Sequence, residues 1–293
     1  MGVTTEIFLP LALFVIMFSL GLGLGLADFR RIAMQPRDFL VGIVSQLVLL
    51  PVVAFAIALV WAPAPAFAVG LMIIAAAPGG VTSNLLTRFA GGDTALSVTM
   101  TAVTSLAAIV TVPIVVFLAL DRFVGASATA ELSVTGIALR MFAIVAVPVA
   151  LGMALRAARP ALAARCEPAA GIVSALLFAV VLAAAIWVER SNIATYFASA
   201  GLATLALNLA MMAIAFWGTV LMGCRRPQRI ALSLECGLQN GTLALAIVAA
   251  LGLDPAYTVP AAIYSLLMFV TALAFVAVVR RKRGTGDADP RPA

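Results

Sequence analysis

Apolar runs of about 20 residues, parted by short stretches that hold most of the charge, organise this chain of 293 residues. At about 1.5 Å rise per residue, such runs cross a hydrocarbon core of roughly 30 Å as α-helices. A membrane β-barrel would alternate with period two, and these runs do not. The pattern predicts about nine transmembrane helices, near 5–27, 38–61, 66–89, 93–120, 131–156, 169–188, 198–223, 229–251 and 256–279. Residues 1–279 thus form one transmembrane unit, and 280–293 a polar, disordered tail.

Two spans are interrupted. The third carries A-P-G-G-V-T-S-N, with Pro78, Gly79 and Gly80 ahead of Ser83 and Asn84. The eighth carries E-C-G-L-Q-N-G, residues 235 to 241. Helix breakers are tolerated at membrane depth where the freed backbone groups find partners or line a cavity. The breaks lie about 155 residues apart, roughly half the chain. Paired broken spans in matching positions predict two inverted repeats, with a binding site where they meet. Four spans and five make the halves unequal, so one repeat would lack its first helix.

Composition supports the membrane reading. The chain is 64% hydrophobic and 10% charged, with mean hydropathy +1.17, far from a soluble domain. A net charge of +6 could suggest nucleic acid, but the basic residues sit in short loops beside spans and read as membrane topology. Fifteen of them fall on one side: Arg30, Arg31, Arg37, Arg88, Arg156, Arg159, Arg165, Arg225, Arg226, Arg229, Arg280, Arg281, Lys282, Arg283 and Arg291. Arg122 and Arg190 fall on the other, and Arg140 lies within the fifth span. The asymmetry predicts an outer N-terminus and a cytoplasmic C-terminus. The first run lacks a basic leader and is too long for a signal peptide, so it reads as a span. Cys166, Cys224 and Cys236 are widely spaced and form no disulfide or zinc pattern. Histidine is absent, which removes the usual metal ligand and neutral-pH proton shuttle.

Glu235 is the acidic residue that lies far from any predicted span end. A carboxylate at bilayer depth costs several kcal/mol unless compensated. It reads either as a protonated side chain bonded to a neighbouring helix or as a cation ligand. Oxygen-bearing residues near both breaks favour the ligand: Ser83, Asn84, Gln239, Asn240 and Thr242. One carboxylate among neutral oxygens suits a monovalent ion such as sodium; calcium recruits more carboxylates. In the fourth span Ser97 and Thr101 are four apart and share a helix face. Gln46 and Asn208 are lone amides that by themselves read as interhelical hydrogen-bonding groups. Arg140 reads as snorkelling toward the outer interface or as a counter-charge for an anion.

At these residues the chain resembles the bile acid:sodium symporter family. A-P-G-G-V-T-S-N-L-L-T, residues 77 to 87, resembles that family's first broken helix, and E-C-G-L-Q-N-G its second. A-L-S-V-T-M-T-A-V-T-S-L, residues 95 to 106, resembles the helix between. The resemblance implies inverted repeats whose broken helices cross in a core domain, about 38–120 and 198–279, beside a panel domain, about 5–61 and 131–188. Relatives with ten helices begin one helix earlier, so this chain is expected to start at their second. One sodium ion would bind Ser83, Asn84, Ser97, Thr101 and Glu235. A second would bind Gln46, Glu235 and Gln239, with the carbonyls of Cys236 and Leu238. The substrate would face Val81, Thr82 and Asn240, and Asn208 and Phe269 are counted with them. Val81 replaces a threonine and Phe269 an asparagine found in some relatives, which makes the cavity less polar.

The leading expectation is a transporter, not an enzyme, in a cell inner membrane: a sodium-coupled importer of an organic anion, bile-acid-like or a small carboxylate such as pantoate or a 2-oxo acid. The alternatives are a proton-coupled or exporting relative, a non-transporting membrane sensor, and a metalloid exporter that would need a reactive Cys236.

Overall fold

The computed structural model describes residues 3–25, 36–61, 64–125, 133–188 and 193–284. Arg30, Arg31, Arg190, Arg291 and the tail beyond residue 284 lie outside the described residues, as do the side chains of Val81, Lys282 and Arg283. The first helix, α1, spans Val3–Gly23. It is followed by α2, Pro36–Trp61. The third predicted span is two short helices, α3 (Pro65–Ala76) and α4 (Val81–Ala90). Next comes α5, Thr94–Phe123, whose first turn is capped by the Asp93 carboxylate accepting from Leu96 N–H. Then follow α6 (Val134–Met141, continuing after a π-turn as Val147–Ala158) and α7 (Pro160–Val188). The next, α8, runs Ile193–Ala213 and ends, after a π-turn, with Thr219–Leu221. The eighth span is again split, into α9 (Arg226–Gly237) and α10 (Gly241–Ala250), and α11 spans Val259–Gly284. Among the described residues, six helices are long and apolar enough to cross a membrane, and α3, α10 and Pro10–Gly23 of α1 are shorter apolar helices. The helix α11 runs to Gly284, so the expected tail from 280 starts too early. Arg280 and Arg281 favour the last turn of a helix, where they meet its negative dipole end.

The helices pack in two groups. In one, α1 lies against the second half of α6 and against α7. Its backbone approaches α6 closely at Gly21 and Gly152, where a Cβ would overlap the carbonyls of Val149 and Phe18. In the other, α3 packs on α2, α5 and α11, while α8 packs on α2, α9 and α11. Thus α2, which the expected core and panel ranges both include, packs with the second group. The first half of α6 and the half-helix α10 also meet across the groups: Arg140 Nη1 donates to the last-turn carbonyl of Ala250 at 2.6 Å.

Proline shapes two of the long helices. A π-turn at Ser45–Leu49 precedes Pro51, and one at Phe142–Ala146 precedes Pro148. Proline has no N–H for the carbonyl four residues back, and its ring crowds that carbonyl. A wider turn relieves the crowding. In α2 it re-aims Gln46, now buried, toward the interior.

Candidate cation site at the helix crossing

The two breaks meet. Ala77 precedes proline and is extended (φ −64°, ψ 144°), so α3 ends at Ala76. Leu238 is extended (φ −109°, ψ 93°) after the end of α9. The links run antiparallel, with Gly79 paired to Gln239. Gly80 N–H donates to Leu238 O at 2.8 Å, and Asn240 N–H to Pro78 O at 2.9 Å. Each link satisfies backbone groups freed in the other, which non-helical chain inside a membrane protein requires. Gly79 permits the closeness: a Cβ there would overlap the Glu235 carboxyl group, 2.6 Å from its Cδ.

Glu235 lies in the last turn of α9, fully buried. Its Oε2 accepts from Ser83 Oγ at 2.6 Å and Ser97 Oγ at 3.1 Å, and its Oε1 from Thr101 Oγ1 at 2.7 Å. Ser97 Oγ is also 2.7 Å and Thr101 Oγ1 3.3 Å from Asn84 Oδ1. Ser83 Oγ is also 2.7 Å from Gly80 O, and Thr101 Oγ1 3.1 Å from Ser97 O. A hydroxyl donates one proton. Three protons therefore serve five acceptors: two carboxylate oxygens, the Asn84 amide oxygen and two carbonyls. An ion pair joins Arg156 and Glu167, and among the described residues none reaches Glu235. A buried carboxylate ringed by excess acceptors lacks positive charge, and a small cation would supply it.

A second cluster adjoins it. Gln46 Nε2 donates to Gln239 Oε1 at 2.6 Å and lies 3.4 Å from Ala77 O. Gln239 Nε2 donates to Cys236 O at 2.9 Å. Gln46 Oε1 is buried without a hydrogen-bond partner among the described residues. An unsatisfied buried amide oxygen, on a side chain whose nitrogen already meets two oxygens, leaves room in this cluster for a further positive partner. These contacts join Gln46, Cys236 and Gln239 in one cluster; Leu238 O is bonded to Gly80 N–H.

The remaining predicted residues separate. Asn240 is half-buried and caps α10, its Oδ1 accepting from Leu243 N–H at 3.0 Å, which leaves its Nδ2 to offer outward. Thr82 is half-buried in the first turn of α4, and Phe269 packs against the apolar core from α11. Asn208, counted with the substrate residues, is instead fully buried and donates to Gly237 O at 2.7 Å. Its partners are Tyr264 and Thr271. Sequence reasoning passed over both, although a tyrosine within an apolar span must find a partner for its hydroxyl. Thr87 was also passed over; it is fully buried with Oγ1 3.5 Å from Ser97 Oγ. The cysteines are free thiols. Cys224, in the loop before α9, has its thiol pushed up to about 11 by burial and by its hydrogen bond to Asp38, far from a reactive thiolate.

A comparison with curated proteins returns no match. Residues 10–196 match the Sodium Bile acid symporter family. That stretch holds Gln46, Ser83, Asn84, Ser97 and Thr101, while Glu235 and Gln239 lie beyond it. With most of its length matched and its long apolar helices, this chain is a multi-pass membrane protein that belongs to the sodium bile acid symporter family.

Proposed function

We propose that this protein imports a small organic anion together with two sodium ions bound beside the crossing. The observation that carries the reading is the fully buried Glu235, surrounded by more acceptors than protons. The first ion would take Glu235, Ser83, Asn84, Ser97 and Thr101. The second would take Gln46, Glu235 and Gln239, with the carbonyls of Cys236 and Leu238. Sodium is cargo here, and its binding also orders the carrier. It neutralises Glu235 and ties α2, α4 and α5 to α9, which fixes the two links.

The N-termini of α4 and α10 then present backbone N–H groups and a positive dipole end to a carboxylate. Asn240 Nδ2 would add a donor, and Thr82 and Val81 would complete the substrate side of the crossing. Phe269 in place of an amide favours a substrate with an apolar flank. Nine spans arranged as inverted repeats would let the group holding the crossing rock against α1, α6 and α7, with the C-terminus cytoplasmic. Two cations with one monovalent anion move a net charge of +1, worth roughly 2.3 kcal/mol per 100 mV.

Proteoliposomes test the coupling. Uptake of labelled carboxylates, pantoate and 2-oxo acids among them, is expected to need an inward sodium gradient at fixed pH, with potassium inactive. Uptake that follows a proton gradient and ignores sodium would assign Glu235 to a proton instead.

A further inference from the structure

Three successive carbonyls end α9, and each has its own partner. Cys236 O accepts from Gln239 Nε2 at 2.9 Å and Leu238 O from Gly80 N–H at 2.8 Å. Gly237 O accepts twice, from Asn208 Nδ2 at 2.7 Å and Tyr264 Oη at 3.1 Å. These two donors come from α8 and α11, outside both proposed ion positions. Asn208 is itself held: its Oδ1 accepts from Thr271 Oγ1 at 2.6 Å, and its Nδ2 lies 3.2 Å from Tyr264 Oη. Asn208 and Tyr264 are fully buried.

Glycine at 237 lets Met212 pack closely, since a Cβ would meet Met212 Cγ at 2.5 Å and force that side chain to shift. Glycine has the least backbone preference of any residue. The Gly237–Leu238 peptide is held from two sides: Leu238 N–H donates to Leu234 O at 2.9 Å within α9, and the two outer donors meet Gly237 O. Two donors fix Gly237 O toward α8 and α11, and this constrains the peptide units on either side, which carry Cys236 O and Leu238 O. Without the outer donors this peptide would keep only its bond to Leu234, and the units carrying Cys236 O and Leu238 O would be held less firmly.

We infer that Tyr264, Asn208 and Thr271 are positioning residues that aim the α9-end carbonyls at the second sodium ion, an inference that rests on the two-sodium reading above. They act through Gly237 and touch neither ion nor substrate.

The test is a sodium titration of thermal unfolding in detergent, at fixed pH and ionic strength with choline as replacement. Tyr264→Phe keeps the ring and removes the hydroxyl. It is expected to raise half-saturating sodium about tenfold, the low end for losing an outer-shell partner, and to lower the Hill coefficient toward one. Thr271→Val should shift the midpoint the same way by less. Thr204→Val is the control. It loses a buried hydroxyl that bonds Ala200 O and Gly201 O within its own helix, and its sodium response should match wild type.

A merely structural role would lower the melting temperature of Tyr264→Phe equally at every sodium concentration and leave the midpoint unmoved, which overturns the inference. Should Tyr264→Phe fail to fold, an unmoved midpoint in Thr271→Val does the same. A wild-type protein without any sodium response removes the two-sodium reading and the inference with it. A sodium-responsive wild type with unmoved variants removes the inference alone.

Discussion

At the scale of single residues, Gln46 is the sharpest probe. Its amide nitrogen sits among oxygens where positive charge is wanted, and its own oxygen is buried without a partner. In the two-ion reading it serves one ion and not the other. Gln46→Ala should lower the Hill coefficient for sodium in transport from near two toward one and weaken transport. Loss of the bond to Gln239 should also cost about 1 kcal/mol of stability. An unchanged coefficient with unchanged sodium affinity would return Gln46 to an interhelical hydrogen-bonding role. Glu235 was readable from sequence because a carboxylate deep in an apolar run has few explanations. Asn208 was not. Its partners Gly237 and Tyr264 are 29 and 56 residues away, and a lone amide carries no sign of which neighbour it will meet.

At the scale of elements, the two broken helices carry the argument. Both breaks are readable, the first from Pro78 and the paired glycines after it, the second from the glycines and amides that follow a buried carboxylate. The meeting of the links was not, since the Gly79–Gln239 pairing spans half the chain. The π-turn that re-aims Gln46 was also unreadable. Its cause, Pro51, is local, but a proline can equally kink a helix or end it. Asn240 tests the division of labour at the second link. Its side-chain oxygen caps α10, while its amide nitrogen is proposed to meet the substrate. Asn240→Ala should weaken substrate binding by about 1–3 kcal/mol and cost about 0.5–2 kcal/mol of stability through the lost cap. Sodium affinity without substrate should stay close to wild type. A large loss of sodium binding by the substrate-free variant would make Asn240 part of the ion site.

At the scale of the whole molecule, the crossing lies within one helix group, which packs against α1, α6 and α7. In one direction α3 and α4 run through it, and in the other α9 and α10, with α5 and α2 laid alongside. The proposed ions would tie α2, α4 and α5 to α9. Their binding should therefore stabilise the fold as a whole, by RT ln(1 + [L]/Kd) for each site, about 2.7 kcal/mol at 100 times Kd. Both ion positions share one carboxylate. The most direct measurement is thus the melting temperature of wild type and Glu235→Ala, purified in detergent, with and without sodium at constant ionic strength and pH. Sodium should raise the melting temperature of the wild type in a saturable way and leave Glu235→Ala unmoved. A sodium-dependent rise of equal size in the variant would contradict the account, because the buried carboxylate at the crossing would then not be what holds the ions.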